Sequence, residues 1–414
     1  MAKNLKSIPT LVESPFIIAT IGGITFGSYS GLGNSYGSVV KVTYPNFMKS
    51  MTIVKVNGTV NTYTLNFSYQ VRPGEDPNLL DKIFSRATKD RSIILQYGDW
   101  NSPANIYKEE KCIMTNVTCA LNMNNASIDY TVSCTSDAIG LSSTTHNFVA
   151  RTAKPSDVLL ELLRSKKYGL NKIFTGMTNI NNVLSNGLIA SNDKKVKLLA
   201  QNNVTILSYM NYLVDSMVNN INNKDTAVTN SRYYLTIHDD TKNNIGGTYF
   251  KVSEVSNNTK TINSIDTYEV DINYPGDNFV TQFTLNNDQS WAILYEFNEE
   301  LSQEKYEYRI DDEGNMTTTY MPSKLVKSSS GNEVSAAKTS WWTKMTQFPV
   351  KATLTMKGLT RPSILMTYVK VNVLFNGGIK HISSGLYIIT KQTDTVDSNG
   401  YKTTLELLRV GGDE

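Results

Sequence analysis

The feature that most constrains this chain is a strict alternation. Tyr63, Leu65, Phe67, Tyr69 and Val71 interleave with Thr62, Thr64, Asn66, Ser68 and Gln70. Period two with one apolar face is the mark of a half-buried antiparallel strand. The pattern returns at Val117, Cys119, Leu121 and Met123, which the alternation predicts to point inward. Asn124-Asn125 then makes a turn, and Ala126, Ile128, Tyr130 and Val132 come back on the same face. It returns again near the end, in Ala352, Leu354 and Met356 and in Val369, Val371, Val373 and Phe375. Two last strands, at 385–390 and 403–410, are joined around Ser398-Asn399-Gly400. Hydrophobic residues are 40% of the chain and charged residues 19%, with Asn, Thr and Ser abundant, a mixture that suits strands and turns better than long helices.

Helical spacing occupies shorter stretches. Leu79, Leu80, Ile83 and Phe84 oppose Asp81, Lys82 and Arg86 after the Arg72-Pro73-Gly74 break. Farther on, Ser156 reads as an N-cap before Val158, Leu159, Leu162 and Leu163. A further helix over about 205–218 carries Ile206, Tyr209, Met210, Leu213 and Met217 on one face. Strand patterns resume at 233–237 and 248–252. The predicted class is α+β, mainly β. The predicted organisation is an N-terminal extended arm or loop over 1–50, a β domain over 51–150, a helical insert with a short β region over 151–270, and a second β domain over 271–414.

The two β domains echo each other. Ile113, Thr115, Thr118 and Leu121 match Ile388, Thr390, Thr393 and Val396, and the turn Asn124-Asn125 matches Asn399-Gly400. Ile128, Tyr130 and Val132 then match Thr403, Leu405 and Leu407; 390 − 115 and 405 − 130 both give 275. The expectation is one sheet unit encoded twice.

Other chemistry is sparse. A net charge of +3 with scattered Lys and Arg gives no basic stripe for sequence-specific nucleic acid. Cys112, Cys119 and Cys134 are odd in number and read as buried thiols of a reducing compartment. The apolar run 16–26 is too short to span a bilayer, and no secretory h-region precedes it, so synthesis in a cytoplasm without a membrane span is expected. His146, His238 and His381 are far apart; His238-Asp239-Asp240 reads as a polar turn rather than a metal site. Asp311-Asp312-Glu313-Gly314-Asn315 lacks the ligand spacing of a calcium loop. No phosphate-cradling loop or nucleophile elbow is present. No catalytic, cofactor or metal residue is assigned, and the enzyme class left open is a hydrolase built on two carboxylates, such as a tail-associated cell-wall hydrolase. Trp341 and Trp342 sit in a dense aromatic stretch: neighbours on a strand point oppositely, so one ring suits the core and the other an interface anchor. Trp100 joins them as a third interface candidate.

The final segment, Ser384-Gly385-Leu386-Tyr387-Ile388-Ile389-Thr390 followed across its turn by Thr404-Leu405-Glu406-Leu407-Leu408-Arg409, resembles the closing hairpin of tail hub proteins. That family spans contractile phage baseplates, their long-tailed relatives and contractile injection systems. The helix start at Ser156-Asp157-Val158 after a β domain is similar to it as well. The resemblance implies two tube-like antiparallel barrel or sandwich domains separated by a helical insert and a smaller β region. It also implies a non-enzymatic homotrimer joining a six-fold tail tube to a three-fold central spike. Its partners would be the tube protein, a spike or needle protein, a tape-measure protein and baseplate wedge proteins, and its place the virion tail, after assembly in a host cytoplasm. A peripheral baseplate or tail-tip component is the alternative within the same class.

Overall fold

The computed structural model describes residues 15–28, 42–86, 91–99, 108–190, 192–217, 232–241, 243–255, 266–271, 280–287, 305–310, 316–321, 350–358, 365–375 and 378–411. The fold is mainly β, as the alternation predicts. Its first strands correct the sequence reading. Pro15–Ile21 (β1) and Ile24–Gly27 (β2) form a buried hairpin where 1–50 was expected to be arm or loop. The apolar run too short for a membrane is a strand buried on both faces, and Gly22 and Gly23 make its turn at φ of 56° and 80°.

Met48–Val56 (β3), Thr62–Gln70 (β4), Ser92–Asp99 (β5), Lys108–Asn122 (β6) and Ser127–Thr135 (β7) follow. They pair antiparallel in the order β3-β4-β7-β6-β5, with β1 and β2 beyond β5. Leu79–Arg86 (α1) packs Leu80, Ile83 and Phe84 onto the inner face, beside Phe67 and Tyr130.

The middle of the chain has its own core. Thr145–Phe148 (β8) pairs with Gln201–Thr205 (β11), and Arg151–Ala153 (β9) with Val196–Leu198 (β10). Pro155–Arg164 (α2), Leu170–Ile173 (α3), Ile180–Ser185 (α4) and Ile206–Asp215 (α5) pack around Leu159, Phe174, Met210 and Leu213. The N-cap of α2 is Lys154, not Ser156. Pro155 fills the first helical position, and the Ser156 amide and hydroxyl both donate to the Asp193 carboxylate, at 2.9 and 2.5 Å. Arg232–His238 (β12) and Tyr249–Val255 (β13) form a hairpin against this core.

The C-terminal strands are Asp266–Asp271 (β14), Val280–Asn287 (β15), Lys305–Ile310 (β16), Met316–Met321 (β17), Val350–Lys357 (β18), Tyr368–Phe375 (β19), Ile379–Lys380 (β20), Gly385–Asp397 (β21) and Gly400–Gly411 (β22). β16 and β17 pair with each other, and β14 runs parallel to β19. The other long strands are antiparallel in the order β15-β18-β22-β21-β19.

That order repeats β3-β4-β7-β6-β5 strand for strand, and in the same chain sequence. Register agrees at two bulges, and the β21–β22 ladder adds one more, between Leu386 and Tyr387. Each β3-type strand carries one bulge, at Lys49 and at Thr281. Each β6-type strand carries another, at Thr115 and at Thr390. The Thr115 hydroxyl donates to the Ser133 carbonyl at 2.9 Å, and the Thr390 hydroxyl to the Glu406 carbonyl at 3.1 Å. A bulge leaves one residue outside the ladder, and in both units a threonine fills it in the same way.

The echo in the sequence needs one correction. Pairing from the shared bulge equates Ile128, Tyr130 and Val132 with Tyr401, Thr403 and Leu405, two residues earlier than a constant 275 places them. The first turn spans Met123–Ala126 and the second only Ser398–Asn399. The two additional loop residues shift everything after the turn.

Candidate functional site: the junction of the two sheet units

The two units are joined edge to edge within one chain. β3 adds antiparallel to the outer half of β21, with Met51 opposite Val396, Ile53 opposite Asp394 and Lys55 opposite Gln392. Val396 and Tyr401 of the second unit thereby enter the core of the first, with Met51, Ile53 and Tyr63. One 14-stranded sheet results.

Alternation along each strand brings charged side chains to the inner face of this junction. Lys108 and Glu110 lie on the same face of β6 as Cys112 and Met114, and both are buried. The Glu110 carboxylate accepts from Lys55 Nζ at 2.5 Å, from the Tyr97 hydroxyl at 2.7 Å and from the Tyr63 hydroxyl at 3.0 Å. Tyr63 also donates to Asp239 at 2.9 Å, just after β12. Asn61 and Ser136 donate to the same carboxylate, at 2.7 and 2.6 Å. Across the junction Thr403 and Gln392 donate to Asp394, at 2.6 and 2.5 Å. The Lys108 ammonium donates to the Tyr401 hydroxyl at 2.6 Å and lies 5.3 and 5.0 Å from the ring centres of Tyr97 and Tyr401.

The electrostatics follow from burial and pairing. Burial pushes Glu110 up, but the Lys55 charge and the bonds from Lys55, Tyr97 and Tyr63 outweigh it and hold the carboxyl below its usual range. Burial lowers Lys55, while Glu110, Asp394 and Asp239 raise it, and the net direction is up. Lys108 is lowered by burial despite the attraction of Asp394. Asp239 is raised by burial, against its hydrogen bonds. Tyr63, Tyr97 and Tyr401 stay protonated, burial being the first cause for each. These groups tie three parts of the chain, β3 with β6, the end of β12, and β21 with β22, at one buried point. The arrangement acts as a pin: Lys55 and Glu110 pair directly, and Lys108, Asp239 and Asp394 are held by buried hydroxyl and amide partners.

His238-Asp239-Asp240, expected as a polar turn, instead continues the strand: His238 ends β12, the Lys111 amide donates to the Asp239 carbonyl, and Asp240 bridges Glu110 of β6. His238 Nε2 lies 2.9 Å from the Thr236 hydroxyl and its ring stacks on Tyr249, while Asp239 takes bonds from protein donors. Among the described residues no His, Cys, Asp and Glu cluster has the makings of a metal site, and no helix is long and apolar enough to cross a membrane. Two surface depressions, of about 910 and 410 Å³, hold one carboxylate each, Glu75 and Asp81. Trp100, Trp341 and Trp342 lie outside the described residues, as does 311–315. Cys112 and Cys134 are buried as expected, but Cys119 is exposed. Leu121 and Met123, predicted inward with it, are 66% and 84% exposed. The cause is that β6 runs on past β5, so this half of its inner edge has no neighbour among the described strands.

No protein-family model matches the chain, and no curated protein matches it in sequence. Solved structures do resemble it. A tail protein from Neisseria meningitidis MC58 superposes with a TM-score of 0.50 and 10% identity, covering 96% of this chain and 97% of that one. The 43 kDa tail protein of prophage MuSo2 from Shewanella oneidensis gives a TM-score of 0.50 and 10% identity over 96% and 99%. An Escherichia coli component of the type VI secretion system gives 0.45 and 8% over 87% and 73%. The fold expected from the closing hairpin is thus that of solved tail proteins, along nearly the whole chain.

Proposed function

We propose that this chain is a structural, non-enzymatic subunit of a phage-type tail: a trimeric baseplate hub joining the six-fold tail tube to the three-fold central spike. The carrying observation is the duplication, with the same strand order and pairing in both units and shared bulges at Lys49 and Thr281 and at Thr115 and Thr390. Eight strands of each chain, β15-β18-β22-β21-β3-β4-β7-β6, run without interruption. Three chains in a closed ring present six similar units, so one assembly matches a hexameric neighbour on one side and a trimeric one on the other. At about 4.8 Å per strand, 24 strands make a wall about 37 Å across before tilt widens it. The outer face of the first unit is lined by Thr64, Asn66, Ser68 and Thr131, cross-bonded Asn66 to Ser50 at 2.8 Å and Thr131 to Asn66 at 3.0 Å. A hydroxyl and amide surface suits the lining of such a tube.

The partners proposed are the tube protein, the spike or needle protein, and tape-measure and wedge proteins at the periphery. Trp100, Trp341 and Trp342 remain the aromatic anchors proposed for those contacts. Light scattering on the purified chain tests the reading. A mass about three times 46.1 kDa is expected. A species that stays single at tens of micromolar would overturn it.

A further inference from the structure

The net charge of +3 conceals an uneven distribution. Residues 151–197 hold nine Lys and Arg against three Asp and Glu, so the rest of the chain is net negative. The fold gathers these cations at the two ends of α2. At its C-terminal end stand Arg164, Lys166, Lys167 and Lys172, all exposed. At its N-terminal end stands Lys154, which follows β9 directly, and beside it come Lys194, Lys195 and Lys197 of the β10 segment, with Lys197 opposite Thr152. The ten residues of α2 separate the two clusters by about 15 Å. Asp157 and Glu161 lie between them, and Glu161 is already taken by Arg151 at 2.7 Å. Arg164, Lys166, Lys172 and Lys195 have no carboxylate partner among the described residues.

An acidic stretch of the same chain complements this face. Residues 296–313 hold eight Asp and Glu against Lys305 and Arg309. Seven of the acids form two groups: Glu296, Glu299, Glu300 and Glu304 before β16, and Asp311, Asp312 and Glu313 after it. Residues 296–304 and 311–313 lie outside the described residues and enter by their charge alone. The six residues of β16 set the two groups about 20 Å apart, close to the spacing of the basic clusters. β16 and β17 pair only with each other among the described strands. A lone two-stranded hairpin is marginal in water unless another strand or a helix supports it.

We propose that this acidic hairpin docks across α2 of its own chain, with one acidic group at each basic cluster. Connectivity allows it. Tyr234 and Val255 of β12 and β13 enter the core of the second unit with Val280 of β15, so the middle region and the strand that leads to the hairpin form one body. The 17 residues of 288–304 reach at most roughly 55–60 Å, several times the length of α2. The contact needs no second copy. It holds by charge at an open surface, so salt should release it, the screening length falling from about 10 Å at 0.1 M to about 3 Å at 1 M.

The test uses the full chain. A water-soluble carbodiimide joins a carboxylate to an amine in direct contact. At low salt it should link peptides of 296–313 to those carrying Lys166, Lys167 or Lys172 and to those carrying Lys154, Lys194 or Lys195, as read by mass spectrometry. At about 1 M salt the yield should fall about fivefold or more. Absence of these links at low salt would overturn the proposal. When heavy-nitrogen-labelled and unlabelled chains are mixed, each link should join peptides of one isotope; mixed links would put the hairpin on a second copy and overturn the same-chain contact. A triple variant, Arg164→Glu with Lys166→Glu and Lys167→Glu, changes exposed positions only. It should speed amide exchange over 305–321 about tenfold, while exchange in β3 and β4 stays as in the parent. Unchanged exchange over 305–321 would refute the docking. A labelled DNA duplex should not bind the parent at about 0.1 M salt, since the face is covered; binding would give the face to nucleic acid and sink the proposal.

Discussion

Replacing Glu110 by Gln isolates the buried pin. The side chain keeps its shape but loses the charge that faces Lys55 at 2.5 Å. The Lys55 and Glu110 side chains are 16% and 6% exposed, so solvent screens the pair little. Removing one member of a buried, hydrogen-bonded pair costs about 3–5 kcal/mol, because the partner's charge stays behind. The amide oxygen introduced by Glu110→Gln would still accept from Tyr97 or Tyr63, and Asp239 and Asp394 partly compensate Lys55, so the lower end, about 3 kcal/mol, is expected. Adding Lys55→Met removes the orphaned ammonium and should restore about 1–2 kcal/mol. Urea unfolding followed by circular dichroism measures each variant, and amide exchange in β3 and β21 reports whether the junction loosens first. The pH dependence has a definite sign. The Glu110 carboxyl is held below its usual value, so its contribution is present at neutral pH and is lost as pH falls below about 4.5 through the folded-state value. Glu110→Gln should flatten that part of the acid limb. A Glu110→Gln protein within about 0.5 kcal/mol of the parent, or a double variant no better than the single, would refute the pin.

Three further outcomes are expected. Thr115→Val and Thr390→Val each remove a hydroxyl bonded across a bulge and should each cost about 1 kcal/mol in urea unfolding, with similar effects in the two units. Gly176→Ala would set a methyl 1.8 Å from the Ile245 carbonyl oxygen, so the loop must shift, and a loss of about 1–3 kcal/mol should lower the melting temperature. His238 is held neutral down to about 3, first by burial and then by Lys55 and Lys251, while the unfolded chain takes up its proton near 6.5. Stability should therefore fall as pH drops from about 6.5 toward 3, and His238→Gln should flatten that slope in pH-dependent melts.

Strands were legible wherever one face is apolar and the other polar, as from Tyr63 to Tyr69, because side-chain direction is fixed by period two. The duplication was legible at Ile113-Met114-Thr115 and Ile388-Ile389-Thr390, where the bulge constrains residue type. It blurred after the turns, since alternation survives a two-residue shift unchanged. β1 was missed because a strand buried on both faces shows no alternation, and its glycines looked like loop. The pin was hidden for another reason: Lys55, Glu110, Asp239 and Asp394 are distant in sequence, and each alone resembles a surface charge. One signal was available. Lys108 and Glu110 share a face with Cys112 and Met114, and charge on an inward face calls for a partner. The exposure of Leu121 and Cys119 was beyond reach, because periodicity predicts which face a residue takes, not whether anything covers it.

The unequal hairpin ends have a consequence for shape. Met123–Ala126 carries two residues more than Ser398–Asn399, and Met123 stands 84% exposed there. In the proposed ring these long and short tips alternate around one rim. The wall below repeats six times, but that rim is a crown with three points. A three-legged component would find only one of the two settings that six equal steps would offer.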